Sequence, residues 1–353
     1  MRAITQHTYG TADVLTLEDV PTPDIGATDV LVRVHAAGVD RGMWHLMTGL
    51  PYPTRLAFGL RKPRHPIPGM DVAGIVEAVG RDVTRFTEGD AVFGVGQGTW
   101  ADLVAIDQDR VAAVPRGVDM LAAGALAVSG STALQAVEDH GHVQAGDRVL
   151  VLGASGGVGS YAVQVARAHD AHVTGTASTG KLDLVRDLGA DQVIDHRVAD
   201  PLAEADRYDV IIDTGGNRRL RDLRHALRPT GTLVIVGGEG GGRLIGGLDR
   251  QLRAVLTSAF TRQRLVTFVA TEDADHLERL ADLVEAGHVT PRVGRVFPLE
   301  EAAEAMRLLE AGQARGKLVL AVAGAQSGTG CPMTSQSTGS VPACRGGSTR
   351  LRL

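Results

Sequence analysis

Seven residues, Gly153-Ala154-Ser155-Gly156-Gly157-Val158-Gly159, have the types and spacing to hold an anion through their backbone alone. They follow the apolar run Asp147-Arg148-Val149-Leu150-Val151-Leu152 and open a helical stretch, Ser160 to His169. Glycines let N–H groups approach a pyrophosphate, and the positive end of the helix dipole faces it. A glycine-rich turn can also join a strand to a helix with no ligand. Here a β-rich run precedes the turn, an Ala/Val helix follows it, and a second strand, His172 to Thr176, lies one crossover further on. That context predicts a dinucleotide site and hydride chemistry.

The second strand also bears on which dinucleotide is held. NAD selection calls for a carboxylate there to bind the ribose hydroxyls, whereas a 2′-phosphate repels it. The segment Thr176-Ala177-Ser178-Thr179-Gly180-Lys181 carries no acid, and Ser178 and Lys181 offer a hydroxyl and an ammonium. NADP(H) is therefore the expected cofactor, against the alternative of Lys181 as a plain exposed lysine. Two further loops, Asp213-Thr214-Gly215-Gly216 and Gly237 to Gly242, follow predicted strands. Open α/β sheets bind ligands at such carboxyl ends, so Thr214, Gly237 and Gly238 are expected beside the nicotinamide.

The elements needed to position these residues are legible in the texture of the chain. Residues 1–120 read as short β segments, among them 30–35, 72–79 and 101–106, punctuated by Gly, Pro and Asp, with one helix at Asp40 to Met47. From 121 the pattern becomes a small-residue helix, Leu121 to His140, then alternating strands and helices to about residue 270. Such alternation builds a doubly wound parallel sheet, with Arg264 to Val269 as a sixth strand. Residues 271–323 offer two amphipathic helices, Asp275 to Glu285 and Leu299 to Leu309, and a closing strand from Lys317. These are expected to return to the first domain, leaving the active site in the interdomain cleft. Residues 324–353, rich in Ser, Gly, Thr and Pro, read as a disordered tail.

Composition narrows the class. A 44% hydrophobic content and a net charge of −5 describe a soluble protein with no basic face for nucleic acid. No stretch is long and apolar enough to span a membrane, and the N-terminus lacks the apolar core of a signal peptide. Cys331 and Cys344 both lie in the tail, so neither a disulfide framework nor a cysteine zinc site is expected in the folded part. A cytoplasmic location follows.

The segments Val34 to Asp40, Pro68 to Val76, Gly89 to Gly94, the glycine loop, Leu188 to Asp191 and Arg315 to Val319 occur in the order found in one family. Through them the chain resembles the medium-chain dehydrogenase/reductase superfamily, in its zinc-independent quinone oxidoreductase-like branch, over residues 1–323. The resemblance implies an N-terminal GroES-like β-barrel, a Rossmann domain and a C-terminal segment that rejoins the barrel. It implies a homodimer paired through the edge of the nucleotide sheet, for which Arg264 to Val269 is a candidate. It also places Asp40 where the metal-dependent members carry a cysteine ligand and the quinone oxidoreductases often carry Asn beside the nicotinamide. Where the zinc enzymes read Gly-His-Glu, this chain has Gly69-Met70-Asp71. A thioether is a poor zinc donor, and His35, His45 and His65 match no zinc spacing, so no metal is expected. His196 stands where related reductases place a phosphate-contacting Tyr, keeping a donor but adding a group that titrates near neutrality.

Without a Lewis acid, hydride must go to acceptors that stabilise their own negative charge, which are quinones and carbonyls conjugated to an alkene. Substrate-facing candidates are Asp40, able to donate a proton if burial raises its pKa, and Trp44 and Tyr52, able to wall an apolar pocket for a flat acceptor, with the Tyr52 hydroxyl as the alternative proton donor. Two alternatives stand beside an NADPH-dependent reductase of such acceptors. One is an alcohol dehydrogenase with an unusual metal site, and the other is a non-catalytic NADPH-binding sensor or scaffold.

Overall fold

In the computed structural model, residues 1–237, 242 and 246–322 are described. The predicted tail, 324–353, and Gly238 lie outside them.

The N-terminal third forms the expected barrel-like sheet. A small antiparallel pair, β1 (Arg2–Thr5) and β2 (Thr16–Asp19), precedes the long β3 (Asp29–Val39). From there β4 (Asp71–Val79), β5 (Ala91–Val95), β6 (Leu103–Asp107) and β7 (Val111–Ala113) follow as antiparallel strands. Helix α1 (Arg41–Thr48) leaves the end of β3, and a single short helix, α2 (Thr54–Phe58), interrupts the proline-rich stretch after it.

The predicted helix from Leu121 to His140 is instead three pieces. These are α3 (Met120–Ala123), α4 (Ala127–Gln135) and a π-helical turn, Ala136–His140. The break falls at Gly124, where a Cβ would sit 2.7 Å from that of Ala36 on β3, so the chain hugs the barrel at a point where a side chain would push it away.

The second layer system alternates as predicted. It comprises β8 (Arg148–Leu152), α5 (Gly157–Ala168), β9 (His172–Ala177), α6 (Leu182–Asp187), β10 (Gln192–Asp195), β11 (Tyr208–Asp213), α7 (Leu220–Ala226) and β12 (Leu227–Ile235). A helix not foreseen, α8 (Leu248–Ser258), leads into β13 (Arg264–Thr267). All neighbours are parallel in the order β10-β9-β8-β11-β12-β13. The inner strands β8, β9, β11 and β12 are buried on both faces over most of their length, which is why they read as apolar runs.

The chain then runs through α9 (Ala274–Glu285), a second unforeseen element, β14 (Val293–Pro298), and α10 (Ala302–Glu310) to β15 (Lys317–Ala321). β14 and β15 join the barrel sheet, with β15 antiparallel to β3. The return of residues beyond 270 to the first domain is thus an edge-to-edge pairing. Helix α9 packs Leu280 against Gly130 of α4, and Glu272, Glu278 and Glu285 on or beside it pair with Arg110, Arg85 and Arg116 of the barrel side.

Candidate active site

The glycine loop folds as its sequence demands. Gly153 adopts φ +79°, a left-handed conformation open to glycine, and a Cβ there would meet Thr214 Oγ1 at 2.6 Å. A Cβ on Gly159 would overlap the Gly153 carbonyl. Ala154 N–H donates to Thr176 O at 3.0 Å and Gly156 N–H to Gly153 O at 3.0 Å, which locks the turn. The N-cap of α5 is Gly156, and no side chain caps the helix. Its first-turn N–H groups, of Gly157, Val158 and Gly159, therefore point outward without an intrahelical acceptor, the arrangement that receives a pyrophosphate.

Thr214 and Gly237 follow the carboxyl ends of β11 and β12. The Thr214 hydroxyl donates to Leu152 O at 2.7 Å, so it serves the loop's geometry. Arg250 of α8 ties both loops together by donating to Asp213 Oδ2 at 2.6 Å and to Gly237 O at 3.0 Å. Asp213 in turn accepts from Gly216 N–H at 2.9 Å.

At the end of β9, Ser178 is half-buried and His196 is exposed. Lys181 Nζ donates to Gly312 O at 2.8 Å and Ala314 O at 2.6 Å, anchoring this corner to the turn after α10. Two of its three N–H bonds are thereby committed and one remains. Burial, with the charges of Arg315 and Arg197 nearby, lowers its pKa from the ordinary lysine value. Sequence reasoning missed an acid here. Asp195, at the end of β10, accepts from Thr179 Oγ1 at 2.5 Å and from Arg197 N–H at 2.9 Å.

Asp40 is the N-cap of α1, its Oδ1 accepting from Met43 N–H at 3.1 Å. Trp44, one turn on, lies on the same side of the helix, with the Arg41 guanidinium 4.6 Å from its ring centroid. Tyr52 lies beyond the other end of the eight-residue helix, about 12 Å along it by helical rise, is 43% exposed and stacks under Arg55. Asp40 and Trp44 are therefore brought together, whereas Tyr52 stands apart from them.

What Asp40 meets was not foreseen. Lys317 Nζ, 2% exposed, lies 2.6 Å from Asp71 Oδ2, 3.6 Å from Asp40 Oδ2 and 3.1 Å from Ser129 Oγ. Asp71 is fully buried, and its Oδ1 accepts from Val128 N–H at 2.6 Å. A Cβ on Gly157 would come within 2.9 Å of Ser129 Oγ, so the cluster sits directly behind the glycine loop. Burial raises the Asp71 pKa; Lys317 opposes that shift without overcoming it, and Asp40 adds to it. Lys317 is raised because the two carboxylates outweigh its own desolvation. The available signal was a lone lysine opening an otherwise apolar strand.

By the family resemblance, Asp40 and Met70 stand where the metal-dependent members hold a catalytic zinc through a cysteine and a histidine. Their donor set does not fit it. Asp71 is engaged by an ammonium and a backbone N–H, Met70 brings a thioether, and no group of three or more His, Cys, Asp or Glu side chains among the described residues is placed to hold a metal.

Comparison with known proteins agrees with this architecture. Residues 26–116 match the family described as alcohol dehydrogenase GroES-like domain, and residues 188–320 the family described as zinc-binding dehydrogenase. The chain is 33% identical over 338 residues to the quinone oxidoreductase of Sus scrofa, covering 91% of this chain and 97% of that protein. It is 32% identical to the 2-methylene-furan-3-one reductase of Solanum lycopersicum, covering 91% and 79%. The solved quinone oxidoreductase of Coxiella burnetii superposes with a TM-score of 0.78 at 30% identity, covering 91% and 99%. A GroES-like barrel joined to a Rossmann sheet, shared with these reductase relatives, makes the chain an NAD(P)H-dependent oxidoreductase. The chain belongs to the medium-chain dehydrogenase/reductase superfamily, in its quinone oxidoreductase-like branch.

Proposed function

We propose that this protein uses NADPH to reduce quinones or α,β-unsaturated carbonyls by zinc-independent hydride transfer. The observation that carries the proposal is the ammonium of Lys317 between Asp71 and Asp40, the latter standing where the zinc members carry a cysteine ligand. A fixed ammonium sheathed by carboxylates offers no open coordination site to a carbonyl oxygen. The acceptor must then delocalise its own charge, as a quinone or an enone does. The names of two relatives point the same way, one being a quinone oxidoreductase and the other acting on a ketone conjugated to a methylene group.

The nicotinamide, when bound, supplies the hydride. The protein's share is placement and exclusion of water. Gly153 to Gly159 hold the pyrophosphate, Thr214 and Gly237 border the ring, and Trp44 forms the apolar wall of the acceptor site. Preference for NADPH rests on Ser178, on the remaining N–H of Lys181 and on His196, supported by the positive field of Arg197 and Arg315. Asp195 is a local opponent, held off by its bonds to Thr179 and Arg197.

Homodimerisation is supported by α8. Leu252, Val255 and Leu256 are exposed on one helical stripe with Phe260 beyond it, beside the β13 edge of the nucleotide sheet. Among the described residues no helix is long and apolar enough to cross a membrane.

The deciding experiment is oxidation of NADPH by the chelator-treated protein against quinones, conjugated enones and simple aldehydes, with NADH in parallel. Turnover confined to quinones or enones and faster with NADPH is expected. Activity on aldehydes that chelation removes would instead favour a metal-dependent alcohol dehydrogenase.

A further inference from the structure

The stretch that joins α1 to β4 differs in charge from the rest of the chain. Between Arg41 and Met70 the sequence holds five of its 36 lysines and arginines and none of its 41 aspartates and glutamates, although the whole carries a net charge of −5. Two of the five cations are engaged with the body of the domain. Arg41 lies over the Trp44 ring, and Arg55 donates to Gly49 O at 3.0 Å while its guanidinium meets the rings of Tyr9 and Tyr52. Arg61, Lys62 and Arg64 are exposed and make no ion pair among the described residues.

The same stretch exposes apolar side chains. Leu56, Phe58 and Leu60 are 71%, 44% and 67% exposed within five residues. Single surface leucines need no explanation, but large apolar side chains gathered at one point do. They are held there by a pinned turn. The Tyr9 hydroxyl donates to Gly59 O at 2.6 Å, and Gly59 N–H donates to Arg55 O at 2.8 Å. Gly59 has φ +125°, and a Cβ on it would overlap the Lys62 carbonyl, so the chain doubles back tightly. Arg64 N–H donates to Phe58 O at 2.8 Å, which brings the cations beside the apolar residues.

We propose that residues 56–64 dock this protein on an anionic lipid surface. Leu56, Phe58 and Leu60 enter the acyl boundary, and Arg61, Lys62 and Arg64 meet the negative headgroups. Apolar insertion joined to electrostatic attraction is what holds a peripheral protein at a membrane, and each cation near such a surface is worth roughly fivefold in partitioning. A nucleic acid would answer the cations and leave the apolar side chains without a partner. The exposed apolar stripe of α8 lacks the matching charge, because Arg253 is paired with Asp249 at 2.9 Å and Arg250 with Asp213 at 2.6 Å. Pro51, just ahead of the docking segment, lies against Gly246 of the other domain, so the segment borders the line where the two domains meet. Under the reductase reading above, a protein seated there would draw its acceptor from the lipid phase; docking itself requires neither cofactor nor turnover.

Vesicle flotation of the full chain tests this. The protein should float with vesicles of equal parts phosphatidylcholine and phosphatidylserine. With phosphatidylcholine alone its partitioning should fall by on the order of 10²-fold, the product of three such cations. Added salt should release it, since exposed charges are screened. Arg61→Gln, Lys62→Gln and Arg64→Gln together should abolish the preference for phosphatidylserine, and Leu56→Ser, Phe58→Ser and Leu60→Ser together should abolish binding to either vesicle. Both sets should keep the thermal midpoint and NADPH affinity of the wild type. Phe58→Trp should shift its emission to the blue when phosphatidylserine vesicles are added, and that emission decides alone should either triple variant melt early. A wild type that stays in solution, that floats equally with both vesicles or whose charge variant still prefers phosphatidylserine overturns the proposal, as does a Phe58→Trp emission that does not move. If vesicles are ignored while polyglutamate retains the protein through the same three cations, the surface serves an acidic protein and lipid docking falls. Each of these failures leaves the reductase reading intact, because that reading is tested by NADPH turnover in solution.

Discussion

Replacing Lys317 by Met keeps the length of the side chain and removes its charge. At an effective dielectric of about 20, an ammonium 2.6 Å from one carboxylate and 3.6 Å from another gains roughly 6 and 5 kcal/mol of Coulomb energy. Those gains offset the several kcal/mol of burying the ion itself. Breaking such a pair by removing one partner costs about 3–5 kcal/mol net. For domains of this size that corresponds to a fall in thermal midpoint on the order of 10 °C at neutral pH.

The penalty should also depend on pH in a definite direction. Lys317 pulls the Asp71 pKa down, whereas burial and Asp40 push it up, and the net shift is upward. Without Lys317 the folded-state pKa rises further. A carboxyl raised above its unfolded value, about 3.9, gives its full stabilisation below that value and loses it as pH climbs towards the folded one, by at most ~1.4 kcal/mol per unit. Lys317→Met should therefore be nearly tolerated in mild acid and fall increasingly behind the wild type up to neutrality. Adding Asp71→Asn should recover part of the loss. Thermal melts from mildly acidic to neutral pH test this. A deficit that is flat across pH, or below about 1 kcal/mol throughout, would refute the charged cluster.

Gly159→Ala should weaken NADPH binding by at least about tenfold in a fluorescence titration, because the new methyl overlaps the Gly153 carbonyl and must open the turn. Lys181→Ala should raise KM for NADPH by roughly tenfold, one charge-assisted contact being worth ~1.5 kcal/mol or more, and leave KM for NADH nearly unchanged; equal effects on both would discard Lys181 as a phosphate ligand. Burial by itself would lower the His276 pKa, but its bonds to Asp139 and Asp273 outweigh that and raise it above about 6.5. Its stabilisation is full below that value and is lost as pH rises through the folded pKa, so the thermal midpoint of His276→Gln should converge on that of the wild type on the alkaline side. A charge on the exposed stripe of α8, Leu256→Glu, should give a monomer by sedimentation if that face joins two copies.

What the sequence determined was local. Gly153 to Gly159 announce their turn because only glycine tolerates the conformation of Gly153 and the close approach at Gly159, and the strands around them show as apolar runs because both faces are covered. The lack of an acid between Thr176 and Lys181 is likewise a fact of adjacent residues. Elements without a clean period were lost. β14 is broken up by Gly294 and Pro298, and the apolar stripe of α8 faces outward, so no core demanded it. The cluster at the centre of the site was out of reach for a different reason. Lys317 meets Ser129 across 188 residues, and Asp71 meets Val128 across 57. Only the pairing of β15 with β3 and the packing of α4 against the barrel carry these groups into one dry place. A buried charge is defined by what surrounds it, and here those surroundings are assembled by tertiary contact from four separate elements.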